Sequence, residues 1–322
     1  MAPFAHEALL YSGDQAYLDG VVPFIRKGLE RGQPTLVMVP APRIDLIWEA
    51  LGGQGGGVGP EGEGLFVADM RAVGANPALI IPAWEDFLRR SGAGGLGVRG
   101  VGEPIWAGRT GEDLVECQRH EALINLAFAG ATGLTILCPY DADALPAEVI
   151  EEARRSHPVV VDEGSRSAAA DYRGAVDHAP PLSEPAAPDL DVSFVELGLP
   201  SMLAGLRGVA MRAGLEVDQV EDLGTAVGAL AHAALGGGRA PARLRTWNEG
   251  RSLIVEIAHA GRLDDPLADR RRAGEGMPGA LWEANHLCDL VQVRSGDPGT
   301  VVRLHSRRRA RPGEAGRPSP TG

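Results

Sequence analysis

Lysine is almost missing from this chain: Lys27 is the only one in 322 residues. A phosphate-binding loop of the GxxxxGK[ST] kind needs a lysine at the end of a Gly-rich loop that follows a strand, and Lys27 falls in an amphipathic helical pattern instead. ATP hydrolysis by such a loop is not expected. Cysteine is equally scarce. Cys117, Cys138 and Cys288 have no CxxC spacing, which argues against a disulfide framework and for scattered thiols in a reducing compartment. No apolar run reaches the ~18–20 residues of a transmembrane helix. The opening MAPFAHEALL lacks a basic segment followed by a long apolar core, so no signal peptide is expected and the cytoplasm is the expected location. Positive charge is also short, with 31 Lys and Arg against 43 Asp and Glu and a formal net charge of −12. That balance disfavours a general nucleic-acid binder, which needs clustered cations to neutralise phosphates. One basic run, Arg307 to Arg309 with Arg311, lies in SRRRARPGEAGRPSPTG, and residues 307–322 are expected to form a disordered tail.

What is present is patterned. Apolar runs at 7–12, 34–40, 65–70, 98–104 and 133–141 read as buried strands. Between them AYLDGVVPFIRKGLERG, PRIDLIWEALGG, PALIIPAWEDFLRRSG and GEDLVECQRHEALINLAFAG carry apolar residues at helical spacing. This alternation predicts an α/β domain over 1–158 with a mostly parallel sheet covered on both faces. The Gly-rich stretch from Gly52 to Gly64 reads as an exposed loop. Residues 159–192, ending in HAPPLSEPAAPD, hold little that fills a core and are expected to be a Pro/Ala-rich linker. A second domain over 193–306 reads helix, helix, hairpin, loop, helix, hairpin. Ser201 and Asp218 are the expected caps of its first two helices. Asn248-Glu249-Gly250 is the expected turn of its first hairpin.

Polar residues of the first domain gather near strand ends or on the helix after 110: His6, Glu7, Glu103, Arg109, His120, Glu121 and Asn125. Ligands in open α/β sheets bind at the carboxyl ends of strands, which favours Glu103 and Arg109. Lining of a sensory pocket and structural hydrogen bonding remain alternatives for these residues. No HxxxH pair occurs, and Glu116 with His120, one turn apart, supplies only two ligands, so no metal site is expected.

The phrases HEALLYSGDQAYLDGVVPFIRKGLERGQPTLVMVP, GVGEPIWAGR, ECQRHEALINLAF and CPYD resemble the MEDS sensory domain over residues 5 to 158. That resemblance implies a RecA-like three-layer fold and a small organic ligand. The phrases EDLGTAVGALAHAALGGG, RTWNEGRSLIVEIAHAGRLDDPLADRRR and ALWEANHLCDLVQVRSGDPGTVVRLH resemble the GHKL ATPase domain of anti-sigma regulatory kinases, a two-layer α/β sandwich of Bergerat type. The family's catalytic Glu and magnesium-holding Asn correspond here to Ala229 and Ala233. Neither methyl group accepts a proton or binds a metal. Its adenine-binding Asp corresponds to His259, followed by a retained Gly261. Its glycine-rich phosphate loop appears as PGALW, with Gly279 kept and Ala280 in place of glycine. Arg270, Arg271 and Arg272 fall in the family's lid, either meeting phosphates or simply exposed.

The resemblances together imply a bacterial signalling protein, anti-sigma-factor-like, whose kinase-like domain binds protein partners without catalysis. A sigma factor, an anti-anti-sigma protein or another regulator is the expected partner. No cofactor is expected, and ATP–Mg²⁺ enters only if the degenerate site retains binding. An active Ser/Thr or sensor histidine kinase with a remodelled site is the enzyme alternative. The prolines around His178 oppose the helical hairpin that a phosphoacceptor histidine requires. A small-molecule binder that uses its second domain to form a homodimer is the third reading.

Overall fold

Strand–helix alternation in the first half folds as the periodicity predicts. The structure is a computed structural model that describes residues 2–52, 64–91, 96–109, 111–177, 179–183, 185, 187–236, 241–272 and 274–309. Most of the Gly-rich stretch, His178 and the chain from 310 onward therefore lie outside the described residues. The chain divides into two units, Met1–Pro180 and Pro181–Gly322. No helix among the described residues is long and apolar enough to cross a membrane.

The first unit runs β1 (Ala5–Tyr11), α1 (Gly13–Glu30), β2 (Thr35–Val39), α2 (Ala41–Ala50), β3 (Leu65–Asp69), a short α3 (Met70–Val73) and α4 (Ile80–Arg90). It continues with β4 (Val98–Gly102), α5 (Gly111–Ala127), β5 (Leu134–Asp141), α6 (Ala147–Ser156), β6 (Val159–Asp162) and β7 (Ser165–Ala168). The strands form one sheet in the order β3-β2-β4-β5-β1-β6-β7, parallel except for the β6–β7 hairpin. Successive strand residues point to opposite faces. Leu9, Tyr11, Val37, Val39, Val101 and Leu137 thus meet Tyr17, Val21 and Ile25 of α1 and Ile47 of α2. The other face carries His6, which reaches α5. Residues 159–168, expected in the linker, are instead sheet. Val159–Asp162 pairs with β1, and Arg166 of β7 returns a two-point ion pair to Glu7 (2.7 and 3.1 Å). A buried carboxylate on β1 needed that partner.

The second unit runs β8 (Leu190–Phe194), α7 (Leu199–Arg212), α8 (Val217–Leu235), β9 (Ala242–Glu249), β10 (Ser252–His259), α9 (Gly276–Leu287), β11 (Leu290–Gly296) and β12 (Gly299–Arg307). Its antiparallel sheet has the order β11-β12-β10-β9-β8. Leu253, Val255 and Ile257 of β10 pack against Leu206, Leu223, Leu230 and Leu281 of the three helices. The opposite face of β10 carries Glu256, whose two oxygens accept from Arg245 (2.5 Å) and Arg303 (2.7 Å).

Local expectations need correction here. Ser201 lies inside α7, where no side chain caps the helix. The cap of α8 is Glu216, in a reciprocal box with Gln219, while Asp218 pairs with Arg309. The β9–β10 turn is Gly250-Arg251, where Gly250 supplies the positive φ of 52°. The basic run does not start as a tail: Arg307 belongs to β12, and Arg308 donates to the Ala213 carbonyl (2.8 Å).

Gly100 shows how tightly the first sheet is covered. A Cβ there would overlap the six-membered ring of Trp84, which lies buried on α4. Gly100→Ala is expected to destabilise the protein by about 1–3 kcal/mol through overpacking. Urea unfolding measures this, and pairing the change with Trp84→Leu is expected to recover part of the loss.

Candidate functional site

Two polar clusters in the first unit and one cleft in the second hold the residues with chemical potential. The first cluster sits at the carboxyl ends of the parallel strands. Helices α1 and α2 cover one face of the sheet, so the chain reverses between β1 and β5 and again between β2 and β4. Crevices at such reversals are where α/β sheets bind ligands. Tyr11 ends β1, Asp141 ends β5, Glu103 follows β4 and Arg43 opens α2. Arg43 Nη2 donates to the Tyr11 hydroxyl (3.1 Å) and reaches Asp141 Oδ2 (3.5 Å), and its Nη1 pairs with Asp14 (2.5 Å). The guanidinium also lies over the Tyr17 ring at 4.6 Å. Tyr11 in turn donates to Glu103 Oε1 (3.4 Å). Glu103 Oε2 and the Tyr17 hydroxyl are buried with no hydrogen-bond partner. Burial pushes the Glu103 carboxyl up to about 8, against the pull of Arg43 and Tyr11. The cluster thus holds two buried polar groups without a hydrogen-bond partner beside a cation.

The second cluster is deeper. His6 of β1 lies between Cys138 on the neighbouring β5 and His157, two residues before β6 on the other side. Glu121 and Asn125, one turn apart on α5, close over them. His6 Nε2 is 3.1 Å from Glu121 Oε2 and 3.3 Å from Cys138 Sγ, and His157 Nε2 is 3.2 Å from the same Glu121 oxygen. The two imidazole centroids are 4.0 Å apart. His6, Glu121, Cys138 and His157 are all buried, and their ligand atoms lie within 4.8 Å of one another. Burial, helped by His157, lowers His6 to about 4. Burial also works against the Glu121 charge, but His157 and His6 outweigh it and hold that carboxyl below its usual range. Burial and the Glu121 charge push the Cys138 thiol well above its ordinary value.

The sensory-pocket candidates His6, Glu103, Arg109, His120, Glu121 and Asn125 do not share one site. Glu103 belongs to the carboxyl-end cluster, and His6, Glu121 and Asn125 belong to the deeper one. Arg109 turns to Trp106, 4.2 Å from the ring centroid, and donates to the Gly74 carbonyl. His120 is buried on α5 but is not one of the four clustered ligands. Glu116 meets Arg119 (3.5 Å), which also grips Asp177 (2.9 Å). Tyr11, Arg43, Asp141, Cys138 and His157 escaped sequence reasoning. Tyr11 and Asp141 end their strands, which was a usable signal, whereas Cys138 and His157 carried none.

In the second unit a cleft of about 600 Å³ opens between α8 and the start of α9, lined by Ala229, His232, Ala233, Gly236, Gly279 and Ala280 among others. Pro278 lies in the first turn of α9 rather than in a loop. A Cβ on Gly279 would overlap the Gly274 carbonyl, so packing alone requires glycine there. His259 lines a different hollow with Ala260 and Thr300. Its Nδ1 accepts from the Gly261 amide (3.0 Å), which leaves a donor rather than an acceptor at Nε2. The three arginines that the resemblance places in a lid are not alike: Arg270 is fully buried, while Arg272 is exposed and 5.4 Å from the centroid of the Trp282 ring.

Residues 5–158 match the family described as MEDS, the MEthanogen/methylotroph, DcmR Sensory domain. The MEDS match covers just under half of the chain and ends two residues before the middle of β6. Among solved structures, the chain is similar to the RsbU and RsbW domains of Rv1364c from Mycobacterium tuberculosis, with 17% identity and a TM-score of 0.27. That similarity covers 38% of this chain and 33% of the other, so the chain spans about a third of that structure's length. A comparison with curated proteins finds no match.

The raised Glu103 fixes a pH dependence. An acid whose folded value exceeds its unfolded value contributes stability below the unfolded value and loses it as pH rises through the folded one. Wild-type stability relative to Glu103→Gln is expected to fall between pH ~4.5 and ~8, by up to about 1.4 kcal/mol per pH unit. Urea titrations of both proteins at pH 5, 6, 7 and 8 measure the difference.

Proposed function

We propose that this chain is a signalling regulator that senses with its first unit and acts by protein binding through its second. The first unit takes a small polar organic ligand at the Tyr11–Arg43–Glu103 cluster. The second keeps the scaffold of a GHKL domain without its phosphoryl transfer. Its partner is a sigma factor, an anti-anti-sigma protein or a regulator of that class.

One observation carries the reading: the cleft between α8 and α9 is lined by Ala229 and Ala233 where phosphoryl transfer needs a base and a magnesium ligand. The engaged Nδ1 of His259 supports it, because an adenine amino group has no acceptor there. The MEDS match supports the sensory half, and the partnerless Glu103 Oε2 and Tyr17 hydroxyl supply the polar anchors.

The kinase alternative rests on His232 and Glu283, the titratable side chains of the cleft. Calorimetric titration with ATP–Mg²⁺ and incubation with labelled ATP separate the two. No magnesium-dependent binding in the micromolar range and no label transfer are expected; label transfer establishes the alternative, and binding without transfer overturns the claim that the cleft has no place for the nucleotide. For the sensory half, the family's name makes one-carbon compounds the first probes. Methanol, methylamine or formate is expected to raise the melting temperature of the full chain, with the rise abolished in Glu103→Gln. An unchanged rise in the variant places the ligand elsewhere.

A further inference from the structure

The proton inventory of the buried cluster is fixed by its outer partners. The Asn125 amide nitrogen donates to the carbonyls of Ser156 (2.7 Å) and Glu121 (3.1 Å), so its oxygen is the acceptor facing His6. His6 Nδ1, 3.1 Å from that oxygen, therefore carries a hydrogen. His157 Nδ1 lies 2.8 Å from the Ala153 carbonyl, which only accepts, and therefore carries one too. Each neutral ring is left with a lone pair at Nε2. Both lone pairs point at Glu121 Oε2, itself an acceptor, at 3.1 and 3.2 Å. Three acceptors converge on one buried point, and among the described residues the hydrogen that faces them is that of the Cys138 thiol, 3.3 Å from His6 Nε2. Such a point calls for positive charge.

We propose that His6 Nε2, His157 Nε2, the Glu121 carboxylate and Cys138 Sγ bind one divalent transition-metal ion of the zinc class. Ligands ~2.0–2.3 Å from a tetrahedral ion lie roughly 3.3–3.7 Å from one another. The 3.1, 3.2 and 3.3 Å separations here fall close to that spacing. The Nδ1–H bonds to Asn125 and Ala153 are the outer contacts that orient metal-bound imidazoles. Thiolate and imidazole ligands select zinc-like ions over magnesium or calcium. On binding, Cys138 releases its proton to solvent, and one thiolate and one carboxylate balance the two positive charges. Four protein ligands with no exposed position make the ion structural. It would tie β1, α5, β5 and the entry to β6 together at the middle of the sheet.

The test uses the untagged full-length chain. Elemental analysis is expected to find about one zinc per chain. Removal by a chelator is expected to lower the melting temperature, and zinc to restore it. Cobalt in place of zinc is expected to give the intense visible bands of a tetrahedral site and a thiolate charge-transfer band. Cys138→Ser loses that band, whereas Cys117→Ser and Cys288→Ser keep it. Asn125→Ala, which removes the outer contact to His6 Nδ1 together with the amide's bonds to Ser156 and Glu121 but no ligand atom, is expected to weaken cobalt binding about 10–100-fold. An octahedral cobalt spectrum in the wild type, or zinc with no effect on its melting, overturns the proposal. Both readouts hold whether or not Cys138→Ser folds.

Discussion

β1 is the strand on which the first unit depends. It lies between β5 and β6 and is covered on both faces, a position where side chains are ordinarily apolar. Yet it carries His6, Glu7 and Tyr11. Each of these imposes a partner, because a buried polar group left unpaired costs about 1–3 kcal/mol. Glu7 draws in Arg166 and with it the β6–β7 hairpin. His6 draws in the polar face of α5 and His157, two residues before β6. Tyr11 organises Arg43 and Glu103 at the carboxyl edge. Both clusters are consequences of polar groups on one central strand.

The second unit meets a related problem within its own sheet. Its sheet buries Leu253, Val255 and Ile257 on the helical face and Glu256 on the other. A buried carboxylate between two guanidiniums is satisfied, with Trp247 lying against both at 5.0 and 5.7 Å. Such an arrangement adds little net stability over apolar packing, but removing one member leaves a buried charge unpaired. The cleft between α8 and α9 differs in kind. Its walls are alanines and glycines that pack or turn the chain, and they make few demands on anything that enters.

Elements were legible from the sequence because their signals are local. Strand and helix spacing predicted β1 to β5 and α1, α2, α4 and α5 within a few residues. The stretch after 158 misled because Ser165–Ala168 is exposed and polar, and pairs as an edge strand without any apolar alternation. The cap of α8 misled because Glu216 acts through Gln219, whereas Asp218 is the favoured cap by residue type.

The sequence by itself determined the two sheets, the alanines at 229 and 233, and the polar character of positions 6, 103 and 121. Only the tertiary structure decided which of these meet. Residues 6, 121, 138 and 157 converge because two parallel crossovers bring β5 and β6 to either side of β1 and lay α5 across them. Periodicity reports which face a side chain occupies. It does not report strand order, and strand order placed Cys138 and His157 beside His6 while sending Arg109 elsewhere.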